Sequence, residues 1–271
     1  MKPSVLLILF IWISQSLSAQ IIAEGIVKED GSGNPISYVN IGVVGKNIGT
    51  VSNDAGRFKL SIPKANAGDT VRVSMLGYVP QLFTVSDFVK QLADHEIIMQ
   101  PSSFILPDVI VSGKGLKEKV LGNTTESQST TTGFTSNKLG NEVGIVIKIK
   151  KAPTFIKSFT ASVVSKDNKP VKLRLNFYNL KNGLPDKLIH DKNIIVSAPV
   201  QGGKLTVDLN DYHIVAEDDF FVSLEWIESA SGTIMFSGSL FKGALIARET
   251  SQADWQKVGL FGIGFTVKVA Y

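Results

Sequence analysis

The sequence predicts an all-β chain built as two sandwiches joined by a polar connector. Three observations carry that prediction. Apolar residues alternate with polar ones over short runs, clusters of turn-forming residues break those runs at short intervals, and no long stretch has the 3.6-residue period of an amphipathic helix. A length of 271 residues suits two domains, each able to bury a core. Net charge is +4 and hydrophobic content is 44%, which excludes a disordered chain. The absence of cysteine excludes disulfides, thiolate metal sites, a cysteine nucleophile and a lipid-modified N-terminal cysteine.

Residues 1–19 read as an export signal. Lys2 supplies the positive start, residues 5–13 are unbroken apolar, and small polar residues follow up to Ala19. The apolar run is too short for a bilayer, which needs about 20 such residues. Removal of the signal would leave 27 basic and 24 acidic residues, a charge of +3, and no second stretch of spanning length. The mature chain is therefore expected to be exported, in the periplasm or associated with the outer membrane.

Residues 20–112 form the first expected sandwich. A strand over 22–29 ends in the turn cluster Asp30-Gly31-Ser32-Gly33-Asn34-Pro35, and a second runs over 36–44. A short strand over 50–53 turns at Asn53-Asp54-Ala55-Gly56, residues that tolerate positive φ. Residues 57–62 alternate, with Phe58, Leu60 and Ile62 on one face and Arg57, Lys59 and Ser61 on the other. Strands over 70–75 and 78–85 flank Leu76-Gly77; residues 86–93 make one or two helical turns; strands over 96–100 and 105–112 complete the set.

These same residues carry a family resemblance. Gly25-Ile26-Val27-Lys28-Glu29-Asp30, Asn34-Pro35-Ile36, Val43-Val44-Gly45, Ile48-Gly49-Thr50, Asn53-Asp54, Gly56-Arg57-Phe58 and Leu76-Gly77-Tyr78 together resemble the carboxypeptidase-regulatory-like domain. Val39 and Ser52-Asn53 stand where that family often has Ala and Thr-Asp, and both keep the local chemistry. The resemblance implies a transthyretin-like seven-stranded sandwich. It also implies the envelope of a Gram-negative cell, because the module recurs at the N-terminus of exported proteins, TonB-dependent receptors of the SusC type included. Such a receptor needs a barrel of several hundred more residues, so the module is expected here without the transporter.

Residues 113–141 are read as a polar linker or long loop, since 122–133 carry no aliphatic or aromatic side chain to offset the entropy of ordering. The two halves are accordingly expected to fold as separate units. Residues 142–271 form the second sandwich, for which a jelly roll is one arrangement, with strands over 143–150, 155–164, 171–178, 192–197, 204–209, 220–227, 233–241 and 262–269. A membrane barrel is not expected, because its strands are longer and carry a continuous lipid-facing apolar row.

No catalytic set, cofactor or metal site is expected. Gly45-Lys46-Asn47 lacks the hydroxyl residue of a phosphate loop, and the glycines of 259–264 feed a strand rather than a helix. His95, His190 and His213 neither pair at ligand spacing nor open a His-x-x-Glu zinc motif, and there is no Gly-x-Ser-x-Gly elbow. Glu217-Asp218-Asp219 reads as a solvated loop. Glu225 could be half of a glycosidase pair, but spacing names no second acid and a lone strand carboxylate is usually exposed. The binding candidates are Arg174, Asn176 and Tyr178, an alternate row expected on the outer face of a strand whose Leu173, Leu175 and Phe177 face the core. Trp255 joins them as a cap over the sandwich end or a stacking plane. The sequence thus points to an exported, non-enzymatic interaction protein with an envelope protein or glycan as partner and no nucleic acid. The alternative is an accessory or catalytic subunit of an envelope peptidase or glycan hydrolase.

Overall fold

The computed structural model describes residues 20–102, 116–134, 136, 138–164, 170–199, 203–228, 234–241 and 243–271. The export signal and the strand expected over 105–112 lie outside the described residues. The described residues are all-β, with one short α-helix. Among the described residues no helix is long and apolar enough to cross a membrane.

The first sandwich comprises β1 (Gln20–Glu29), β2 (Asn40–Val43), β3 (Gly49–Val51), β4 (Arg57–Pro63), β5 (Thr70–Ser74), β6 (Gln81–Thr84), the helix α1 (Val85–Gln91) and β7 (Glu96–Met99). One sheet runs β4-β1-β7, with β1 and β7 parallel, and the other runs β3-β2-β5-β6. The alternation seen in the sequence sets the core: Phe58, Leu60 and Ile62 of β4 meet Ile41 and Val43 of β2 and Val71 and Val73 of β5. The Thr84 hydroxyl accepts the Asp87 amide at 3.1 Å and so caps α1. That fixes Phe88 over the open end of the core, its ring 6.2 Å from Phe58 and 5.8 Å from Phe83, a burial contributing about 1.5–3 kcal/mol. The strand expected over 36–44 begins only at Asn40, because Tyr38 takes φ 60° and turns the chain.

Among the described residues the second sandwich has fifteen strands. They are β8 (Glu118–Gly122), β9 (Thr131–Gly133), β10 (Glu142–Ile147), β11 (Thr154–Val163), β12 (Pro170–Lys181), β13 (Leu184–Leu188), β14 (Ile194–Pro199) and β15 (Gly203–Asp208). The rest are β16 (Val215–Ala216), β17 (Phe220–Trp226), β18 (Met235–Leu240), β19 (Leu245–Arg248), β20 (Gln256–Val258), β21 (Phe261–Ile263) and β22 (Phe265–Ala270). One sheet runs β13-β12-β17-β10-β19-β20 with β14 paired to β12; the other runs β21-β18-β11-β22-β8 with β15 and β16 paired to β11 and β9 to β18. The principal strands cross repeatedly between the sheets, in the manner of jelly-roll sandwiches. Leu173, Leu175, Phe177, Val222 and Leu224 face Phe159, Phe236, Phe265 and Val267 across the core.

One sequence expectation changes. Part of the stretch read as a polar linker belongs to the second sandwich: β8 pairs with β22 and β9 with β18. Its polar groups serve the backbone, the Thr125 hydroxyl donating to Gly238 O at 3.1 Å and the Gly238 amide to Thr130 O at 2.7 Å. Counting only side chains overlooked those hydrogen bonds. The two halves keep separate cores but touch. Gly42 of β2 lies opposite Gly49 of β3, and a Cβ at either position would sit 2.3 Å from the Ser251 carbonyl of the second sandwich. Around that contact the Gly45 amide donates to Gln252 O at 2.9 Å, and the Ser251 hydroxyl to Asn40 Oδ1 at 3.0 Å. Gln252 Nε2 donates to the Ser74 hydroxyl at 3.0 Å. The glycine pair lets the two backbones touch.

Candidate functional site

The register of four neighbouring strands brings the strongest charges of the second sandwich into one row. Arg174 of β12 lies opposite Glu225 of β17, Glu225 opposite Glu142 of β10, and Glu142 opposite Arg248 of β19. Side chains directly opposite on antiparallel strands are in contact range, so this register places two carboxylates side by side with an arginine outside each. The Arg248 Nη2 meets Glu142 Oε2 at 2.6 Å and the Arg174 Nη1 meets Glu225 Oε2 at 3.5 Å. Asn176 Nδ2 donates to both acids, at 2.9 Å to Glu142 and 3.1 Å to Glu225. The Ser223 hydroxyl donates to Glu142 at 2.5 Å and the Tyr178 hydroxyl at 3.1 Å.

This row is buried. Arg174, Asn176, Tyr178, Ser223, Glu142 and Glu225 all belong to the interior, which corrects the outer-face expectation for the first three and the exposed reading of Glu225. The alternation was right about the two faces. It could not show that the outer face is covered by the first sandwich and the 249–255 loop. Arg174 Nη2 donates to the Tyr38 carbonyl, and Lys172 Nζ donates to the Tyr38 hydroxyl at 2.7 Å. Trp255 closes the other side, its ring 5.2 Å from Phe221, 5.8 Å from Tyr178 and 4.7 Å from the Arg248 guanidinium. Trp255 thus packs over the outer face of this sheet.

Electrostatics follow from that packing. Burial, and then the Glu142 carboxylate, push the Tyr178 hydroxyl well above the ordinary tyrosine range. Burial opposes the charge on Arg248, yet Glu142 outweighs it and the guanidinium holds its proton more tightly than usual. Arg72 of the first sandwich is lowered by burial and then by Arg248, so the field crosses the interface. Two acids against two arginines cancel. The arrangement is a neutralised, sealed ion cluster, able to hold sheets and sandwiches in register but offering no free carboxylate to a substrate.

The histidines are dispersed. His95 and His213 end 3₁₀ turns in the left-handed conformation. His190 is buried, its Nδ1 donating to Lys192 O at 2.8 Å, and burial pushes its pKa down to about 4. Asp219, from the acidic run, accepts the Ile149 amide at 2.9 Å, and among the described residues no group of acids and histidines could hold a metal ion.

Solvent reaches the molecule's hollows elsewhere. A cavity of about 350 Å³ between the sandwiches is lined by Thr50, Arg57, Phe58, Leu139, Ile227 and Glu228. Another of about 620 Å³, on the first sandwich, has a charged rim in which Lys28 pairs with Glu96. A third, larger than these two at about 770 Å³, opens at the mouth of the second sandwich. Its floor is aliphatic, from Leu121, Ile145, Val146, Leu180 and Ile246, and its charged groups are Lys148 and Lys257. No motif in the sequence pointed to it, because strands distant in the chain supply its walls.

The comparisons with known proteins bear on the first sandwich. Residues 23–111 match the model of the CarboxypepD_reg-like domain. The first sandwich is a CarboxypepD_reg-like domain. Its seven strands agree with the transthyretin-like sandwich that the motif residues implied. The TonB-dependent receptor SusC of Bacteroides thetaiotaomicron is 37% identical over 118 residues, which are 42% of this chain and 11% of that protein. The chain thus spans about a tenth of the length of this relative. Two solved structures of the clostridial cysteine protease Cwp84 also align, each at 9% identity. The protease and lectin-like domains from Clostridium difficile give a TM-score of 0.37 over 49% of this chain and 32% of that one. The protease after propeptide cleavage gives 0.41 over 91% and 70%. Scores this low carry no argument about fold or activity.

Proposed function

We propose that the chain is an exported, non-enzymatic binding protein of the cell envelope, with an envelope protein or glycan as its partner. The export signal read at residues 1–19 and the CarboxypepD_reg-like domain shared with SusC support the setting. One observation carries the non-enzymatic part. The carboxylate pair Glu142 and Glu225 is buried and neutralised by Arg174 and Arg248. A glycosidase pair must flank a substrate-filled gap of about 5–9.5 Å. The CarboxypepD_reg-like domain then serves as a rigid buttress, locked through Tyr38 and Ser251, and the second sandwich presents its mouth and loops.

The test measures binding and turnover on the same preparation. Mature protein is titrated against solubilised outer-membrane proteins and against a glycan panel, and both mixtures are assayed for hydrolysis products. Saturable binding without products is expected. Product formation that Glu225→Gln abolishes would replace this reading with the hydrolase alternative.

A further inference from the structure

We propose that the mouth of the second sandwich, with the adjoining β18–β21 ribbon, is a docking site for an apolar segment of a protein partner flanked by acidic residues. This rests on the binding-protein reading and specifies its partner.

The ribbon is the first observation. Leu240 of β18 pairs with Phe261 of β21, and the Phe241 amide donates to Leu260 O at 2.8 Å, so two Leu-Phe steps stand opposite each other at one tip. All four side chains are exposed, Phe241 by 75% and Leu260 by 62%. Folding alone gives no reason to cluster four large apolar groups in water; such patches mark interaction surfaces. Phe241 also takes φ 60°, a conformation disfavoured for a bulky residue, and strain of this kind collects at functional positions.

The second observation is where the tip leads. Two residues beyond Phe241, Gly243 and Ala244 line the 770 Å³ mouth, and Lys257 lines it three residues before Leu260. The ribbon tip therefore adjoins the mouth along the chain on both of its strands. Lys148 and Lys257 are exposed on its rim, and neither meets a carboxylate among the described residues. That contrasts with Lys28, Lys204 and Lys268, each of which pairs with a glutamate.

The shape and charge choose among occupants. A neutral glycan calls for an aromatic plane beside its polar donors, but Asn123 and Thr124 line the cavity with no aromatic ring among the described lining residues. A bilayer would touch the exposed tip and leave the recess empty. An extended peptide can lay aliphatic side chains along the floor, pack against Phe241 and Leu260, and set carboxylates beside the two ammonium groups.

The experiment uses mature protein and synthetic peptides with one aliphatic core flanked by acidic, basic or neutral polar residues, read by fluorescence anisotropy. The acidic peptide is expected to bind, and the basic one not to. Lys148→Glu and Lys257→Glu should each weaken binding on the order of tenfold, with a smaller effect at high salt. Phe241→Ser should weaken it at least as much, and all three variants should unfold like wild type. Equal affinity for acidic and basic peptides, or indifference to the double charge reversal, overturns the proposal. So does binding to phosphatidylethanolamine–phosphatidylglycerol vesicles without peptide binding. If peptides fail while outer-membrane proteins still bind saturably, this site is wrong and the binding function stands; if both fail, both readings fall.

Discussion

The second sandwich carries two sets of charges that contrast in every physical respect. In the row Arg174–Glu225–Glu142–Arg248 each charge has a counter-charge, water is excluded and the first sandwich seals the top. At the mouth Lys148 and Lys257 stand in solvent above an aliphatic floor without a described carboxylate beside them. The lesson is that charge alone does not mark a binding site. A buried, balanced cluster positions the fold, whereas an unbalanced rim on a cavity is available to a partner. Substitutions should separate the two sets by what they change, stability or binding.

The largest effect is expected at the buried row. Arg248→Met leaves Glu142 sealed without its counter-charge, which costs about 3–5 kcal/mol, whereas Lys257→Glu at the rim should stay within about 0.5 kcal/mol of wild type. Urea unfolding measures both. The double variant Glu142→Gln, Arg248→Met should recover much of the loss, because the uncompensated charge is gone. Similar costs at the two sites would erase the contrast.

His190 gives the next effect and ties stability to pH. Its folded pKa, about 4, lies below the ordinary 6.5, so the unfolded chain binds the proton more readily. Stability from the neutral imidazole is therefore complete above pH 6.5 and is lost as the pH falls towards 4, by up to about 3 kcal/mol. His190→Gln should flatten that slope between these limits. An unchanged slope would assign the acid sensitivity to other groups.

Much of this architecture was legible in the sequence, and the failures have definite causes. Alternation over 171–178 sorted Leu173, Leu175 and Phe177 from Arg174, Asn176 and Tyr178 correctly, because a strand's period of two is local. It could not show what covers the second face, since Tyr38 and Trp255 arrive from 136 and 81 residues away from Arg174 and reach it only through the fold. Glu142 and Arg248 went unnoticed as partners for the same reason. Arg248 ends β19, whose Leu245-Ile246-Ala247 is buried throughout and shows no alternation to read. Glu225 needed the register of β10 and β17 to acquire its neighbour. The motif glycines were legible as family signature, but the use of Gly49 with Gly42 as a seat for Ser251 appears only when both sandwiches are present.

That seat gives a moderate effect. Gly49→Ala places a methyl group 2.3 Å from a backbone oxygen that has no flexible end to yield, so the sandwiches must shift apart at a cost of about 1–3 kcal/mol. Hydrogen exchange should then quicken at the Gly45 amide, which donates to Gln252 across the interface. Exchange there at the wild-type rate would mean that the interface does not depend on the close approach.

The smallest effect is expected at the ribbon tip, and its sign is the informative part. Phe241 holds a left-handed backbone at a cost of about 1–2 kcal/mol, and its exposed ring returns little burial energy. Glycine takes that conformation freely but loses more chain entropy on folding, a penalty of about 0.5–1 kcal/mol. Phe241→Gly should therefore leave stability unchanged or raise it by up to about 1 kcal/mol in urea unfolding, while weakening the acidic peptide. The buried row should show the reverse, with Arg248→Met lowering stability severalfold more than any change at the mouth. If Phe241→Gly instead cost stability, the ring would be packing against the sandwich rather than waiting for a partner, and the tip would join the buried row as part of the frame.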